Sequence, residues 1–213
     1  NLGGNELTAA GAAAIGSGQL AELTSLNLDG NAIGAEGAAR LMSSAVAPRL
    51  ESLNLESCEI GTEGAQAIAQ CRFARLKSLE LNSNDITAAG VAARAASSAF
   101  QNLEELVLSY NPIGDDGLRA IAECAGLAKL KKLSLNRVEA TSAGVQALAS
   151  SPHLSKLEQL ELSGNEIGLV GAAALSQSQS LARLSTLHAN DAGVSSSDAE
   201  NMLKSRFGDN VYV

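Results

Sequence analysis

A period of 27 residues constrains this chain more than any other feature. The pattern restarts at Leu23, Leu50, Leu76, Leu103, Leu130, Leu157 and Leu184, in steps of 27, 26, 27, 27, 27 and 27 residues. Clear copies read LTSLNLDGNAIGAEGAARL from Leu23 and LEQLELSGNEIGLVGAAAL from Leu157. A partial copy fills residues 1–22, where Leu2, Asn5, Leu7, Gly11 and Ile15 match Leu28, Asn31, Ile33, Gly37 and Leu41. The last copy, 184–213, is degenerate and reads as a capping repeat. A unit this short cannot enclose a core of its own; it buries its apolar side only against the units before and after it. The copies leave no room for a linker, so residues 1–213 are expected to form one stacked domain.

Two periodicities lie inside each unit. The opening L-x-x-L-x-L alternates as a short, half-buried strand does. Helical spacing then takes over, with inward pairs Gly37 and Leu41, Gly64 and Ile68, Gly117 and Ile121, Gly144 and Leu148, and Gly171 and Leu175. Gly34, Gly61, Thr87, Gly114, Thr141 and Gly168 mark the helix starts, where Thr can cap free N–H groups. Leu20, Ala47, Phe73, Phe100, Leu127, Leu154 and Leu181 supply one further apolar anchor per unit. The chain is 46% hydrophobic but only 2% aromatic, which suits a thin core of Ala, Leu, Ile and Val. Strands stack ~4.8 Å apart and helices ~8–10 Å apart, so the stack must bend with its strands inside. Alanine-rich helices favour close packing and a moderately open arc.

Asn31, Asn84, Asn111 and Asn165 share one position with Cys58. A ladder of amides bonding the turns of adjacent units accounts for the preference, because buried backbone groups need partners. Val138 interrupts that ladder, and Ala140 replaces the usual Ile in the same unit, so local loosening is expected there. Arg94 stands where other units have Leu or Ile, its stem expected to lie across the helix groove.

With the consensus LxxLxLxxNxIGxxGAxAL, the chain resembles the ribonuclease-inhibitor-like subfamily of leucine-rich repeats over about 190 residues. The resemblance implies an α/β fold: a right-handed leucine-rich-repeat solenoid, or horseshoe, with parallel strands on the concave face and short helices on the convex face. It also implies a protein or peptide partner held by the concave strands and the loops at one edge. The family's near-enzymatic precedent, a GTPase-regulating role, maps onto no residue of this sequence. A fold does not fix a partner. The ending LKSRFGDNVYV is similar to the last repeat of long bacterial proteins of this type.

The remaining signals narrow the function class. A net charge of −8 argues against nucleic acid, whose phosphates need a basic face. No run approaches the ~18 apolar residues of a membrane span. Three cysteines and no Asn-x-Ser/Thr sequon fit a reducing, intracellular (cytoplasmic) setting; a removed leader, and so secretion, stays open. No G-x-S-x-G, H-E-x-x-H, Walker or Rossmann motif occurs, so no enzyme and no cofactor are expected. His153 and His188 fall more than one unit apart, which disfavours a metal site. Cys58, Cys71 and Cys124 read as separate structural thiols. Glu36, Glu63, Asp115 and Asp116 fall in first helical turns, where the helix dipole suffices to explain them.

What is left is the strand face. Outward positions run from an acidic, amide-rich beginning with Asp29, Glu56, Glu80 and Glu105 to a middle with Val107, Tyr110, Lys132 and Arg137. Tyr and Arg are over-represented in interface hot spots. These eight residues are therefore the candidate partner-binding site, for a protein or peptide with a basic patch. Leu169-Val170, at a helix start where other units have Ala-Glu, Thr-Glu or Asp-Asp, is a second candidate on the convex side. The carboxy-terminal end looks capped by a Ser197–Glu200 capping box, by Met202, Leu203 and Phe207 facing the last unit, and by Gly208 as helix stop. The amino-terminal end has no polar capping helix, which leaves a structural or self-assembling segment of a longer repeat protein as the alternative.

Overall fold

The computed structural model describes residues 1–95, 100–194 and 197–213, without the side chains of residues 94 and 95. The expected behaviour of the Arg94 stem thus lies outside the described residues. Among these residues eight strands form one parallel sheet in strict chain order. They are β1 (Ser25–Asn27), β2 (Ser52–Asn54), β3 (Ser78–Glu80), β4 (Glu105–Val107), β5 (Lys132–Ser134), β6 (Gln159–Glu161), β7 (Thr186–His188) and β8 (Val211–Tyr212). The helices are α1 (Ala9–Ser17), α2 (Gly34–Met42), α3 (Gly61–Gln70), α4 (Ala88–Ala95), α5 (Gly114–Glu123), α6 (Ser142–Ala149), α7 (Gly168–Gln177) and α8 (Ser197–Phe207). This is the expected α/β solenoid.

Register follows the repeat. Leu53, Leu79, Leu106, Leu133, Leu160 and Leu187 pair in sequence across β2 to β7, and each is fully buried. Helices of 8 to 11 residues are too short to persist alone in water, so burial between neighbours holds them. Glycine makes that burial close: a Cβ on Gly37 would stand 3.1 Å from the Ala9 Cα of the preceding helix.

The amide ladder is present. Asn111 Oδ1 accepts the N–H groups of Asn84 and Ile86 of the preceding unit at 3.0 and 2.9 Å, while its Nδ2 donates to Leu81 O and Leu108 O. Asn165 does the same for Val138 and Ala140. Where Cys58 or Val138 supplies no amide oxygen, the orphaned N–H of the previous unit turns inward: Ile33 N bonds Asn31 O at 2.7 Å and Ile113 N bonds Asn111 O at 2.8 Å.

The unit with Val138 is not loosened, contrary to the sequence expectation. Val138 and Ala140 are buried. The Asp115 carboxylate reaches in from the preceding unit and accepts Thr141 N at 2.7 Å, Thr141 Oγ1 at 2.6 Å and Gly144 N at 3.0 Å. Thr141 Oγ1 in turn caps α6 through Ala143 N. Asp115 therefore does more than face a helix dipole. Burial pushes its carboxyl up, but these hydrogen bonds outweigh burial and leave it below the ordinary value.

The cysteines lie buried and unbridged. Burial pushes the Cys58 and Cys71 thiols up to about 11. Cys58 Sγ donates to Leu28 O at 3.1 Å. Cys71 and Cys124 follow α3 and α5 at the position that Ser151 and Ser178 hold after α6 and α7, where the serine hydroxyls donate to Ala122 O and Ala149 O of the unit before.

The two ends depart from expectation. Leu20 is not an anchor but 40% exposed, and Leu2 is 39% exposed; neither is covered by another described unit. At the other end Leu203 and Phe207 are buried but Met202 faces outward. Glu200 pairs with Lys204, and the start of a capping box at Ser197 adjoins residues outside the description. The cap rests on two features that the sequence did not suggest. Arg206 donates to Leu175 O, Ser176 O, Ser178 O and Leu181 O, closing the carbonyls that end α7, and β8 pairs with β7.

Candidate functional site

The outward residues of the strands lie side by side at strand spacing, so rows of like position form the surface. Glu105 and Lys132 are cross-strand partners and form an ion pair at 3.0 Å. That hydrogen bond raises the Lys132 ammonium above its ordinary range against the opposing effect of burial. Val107 lies half-buried between Glu80 of β3 and Ser134 of β5. Asp29 and Glu56 fall just beyond β1 and β2, where Asn27 and Asn54 side chains accept their N–H groups.

The acids of this face do not behave alike. Burial first, and then the charges of Glu105 and Glu56, raise the Glu80 carboxyl. Glu161 occupies the same row two strands past β4. Burial pushes it up as well, but hydrogen bonds from Ser134 and Asn136, with the charge of Lys132, bring it below the ordinary value. Gln159 Nε2 also donates to Glu161, at 2.9 Å.

Tyr110 and Arg137 do not stand on the strands. Each lies three residues beyond one, in the loop, with φ of 59° and 52°. Other units place Gly30, Ser57, Ser83, Gly164 or Asp191 there in the same left-handed conformation. A large side chain at such φ is uncommon, and strain of roughly 1–3 kcal/mol per residue points to a functional hypothesis. The two remain neighbours as expected: Tyr110 N bonds Asn136 O at 2.8 Å, and the Arg137 guanidinium carbon sits 6.0 Å from the Tyr110 ring centre. Tyr110 is 55% exposed. The site residues thus divide between the strand face and its loop edge.

Beside Arg137 opens a recess of about 490 Å³ lined by Glu139, Ala140, Thr141, Gly164, Asn165 and Glu166. On the opposite edge, where the chain enters the strands, Glu51–Lys77 and Glu104–Lys131 pair at 2.8 Å each, a row that neutralises itself. Leu169 and Val170, the convex candidates, are exposed. Sequence reasoning missed one aromatic of the strand face, Tyr212, which stacks on His188 at 4.5 Å. The signal was faint: Val211-Tyr212-Val213 lacks the leucine pattern that marks the other strands. Among the described residues no cluster could hold a metal ion, and no helix is long and apolar enough to cross a membrane.

Comparison with known families agrees with this geometry. A leucine-rich-repeat model matches residues 22–42, 48–69, 76–93, 101–122 and 153–176, half of the chain in all. No curated protein matches. Such repeats are generally non-enzymatic modules of protein interaction. Repeat, sheet and family match together make this chain a member of the leucine-rich repeat family.

Proposed function

We infer that this protein is a protein-interaction scaffold, of ribonuclease-inhibitor-like type, built as one domain over 1–213. It holds a protein or peptide partner on the middle of the strand face and its loop edge. The observation that carries this reading is Tyr110 beside Arg137, two bulky hot-spot residues held in left-handed backbone where other units use Gly, Ser or Asp. Val107 and the Lys132–Glu105 pair flank them, and Glu80, Glu56 and Asp29 extend an acidic approach that favours a partner with a basic patch. Capture of a partner from the source cell, followed by surface plasmon resonance, tests it. Tyr110→Ala and Arg137→Ala should each weaken binding by ~1–3 kcal/mol, mostly through off-rate. If both bind as wild type while Leu169→Asp abolishes binding, the site is convex.

A second reading, self-association of the amino-terminal end, is favoured by exposed Leu2 and Leu20 with Leu7 and Ile15 only partly covered. Light scattering that finds monomer across a wide concentration range removes it.

A further inference from the structure

The recess beside Arg137 carries a more specific statement about the partner, resting on the protein-binding reading above. Arg137 is the single Lys or Arg among the loops that leave the strands, whereas those loops hold Asp29, Glu56, Glu59, Asp85, Glu139, Glu166 and Asp191. Among the described residues Arg137, Glu139 and Glu166 form no ion pair, although Lys77, Lys131 and Lys132 of the same sheet all do. The guanidinium is nonetheless held in place. Its stem lies over Gly164, where a Cβ would come within 2.6 Å of Arg137 Cγ and where φ is +70°. Its head lies near the Tyr110 ring. Behind it, the Asp115 carboxylate fixes Thr141, which lines the recess. The result is a supported cation, in no ion pair among the described residues, at the mouth of a cleft whose other charged walls are carboxylates.

We propose that this recess sets the register of a basic polypeptide segment running along the loop edge, seating one carboxylate of that segment on Arg137 between cations that meet Glu139 and Glu166. Charge complementarity requires the pattern. A wholly basic segment would leave a like charge on Arg137, and an acidic one would face the surrounding carboxylates; the mismatch gives selectivity in either case. A guanidinium fork suits a carboxylate in bidentate geometry, and the cleft has room for a large side chain.

The test is selection of a random twelve-residue peptide display library on wild-type protein and, separately, on Arg137→Glu. Arg137 is exposed, so the fold is not at stake, and circular dichroism checks it. Wild type should enrich Lys/Arg-rich peptides with one Asp or Glu at a constant place. Arg137→Glu should replace that acid with a base, and it should bind the wild-type peptides at least tenfold more weakly. An enriched set without the acid, one unchanged by Arg137→Glu, or no enrichment at all overturns the register proposal. Peptides lost on Lys132→Ala but indifferent to Arg137→Glu would overturn it while leaving the strand face as a binding surface.

Discussion

Glu80 and Glu161 occupy the same row of the sheet, yet the protein treats them in opposite ways. In the amino-terminal half, burial first and then the charges of Glu105 and Glu56 raise the Glu80 carboxyl, with the Asn54 amide its one side-chain donor among the described residues, at 3.1 Å. Nearby, Asn82 reaches Glu56 with a long 3.4 Å contact while its own buried Oδ1 has no partner among the described residues. In the carboxy-terminal half, Glu161 gathers Ser134, Asn136 and Gln159, and Asn136 Oδ1 accepts Ser163 N at 2.8 Å. One acid of the row is thus met by one side-chain donor and the other by three. A basic partner gains most from the first half, and Tyr110 with Arg137 stands at the boundary between them.

The buried scaffold beneath both halves is the same, so breaking it should erase no difference between them. Asn84→Ala and Asn165→Ala each strip two N–H groups of the preceding unit and neighbouring carbonyls of their partner. Each should lower stability in urea by ~3 kcal/mol, at ~1–3 kcal/mol for each buried group left unmet. Unequal losses would mean that the halves differ in their cores and not only in their surfaces.

Next in size comes the direct contrast. Glu161→Gln should cost ~1 kcal/mol at neutral pH, a figure reduced for its partial exposure. Glu80→Gln should stabilise by a few tenths of a kcal/mol, about the size of one exposed like-charge contact. The pH dependence carries the signs. A lowered acid such as Glu161 contributes stability above its ordinary value of 4.5 and loses it as pH falls through the lower folded value. A raised acid such as Glu80 helps below 4.5 and ceases to help as pH rises through its higher folded value. Urea titrations from pH 3 to 7 should therefore show the two variants diverging from wild type in opposite directions as pH increases. Parallel curves would break the comparison.

Much of this was legible in the chain. The leucine spacing predicts every strand from β1 to β7, and the shared Asn position predicts the ladder, because both depend on a period that repeats. What escaped depends on contacts between unlike units. Asp115 read as a helix-dipole residue because its acceptor role requires knowing that Thr141 of the next unit lies against it. Arg206 gave no signal in the sequence, because the carbonyls ending α7 that it meets belong to the preceding unit. Tyr110 and Arg137 were found by residue type, but their backbone conformation could have been inferred from Gly30 and Gly164 in the same column.

The smallest effect concerns approach and not anchoring. Neutralising Asp29 and Glu56 together should slow association with a captured partner a few-fold at low salt and hardly at all near 0.5 M, where charges are screened within a few ångströms. Stopped-flow rates at several ionic strengths would show it, and a salt-independent loss would place these acids in the contact itself.

Hydrogen exchange of the protein alone and with a captured partner tests the central claim most directly. Protection is expected in the loops and strand ends around 107–110, 134–137 and 161–166, with little change at 168–172. Protection confined to the start of α7 around Leu169 and Val170, with the Tyr110 and Arg137 loops unchanged, would contradict the assignment of binding to the middle of the strand face.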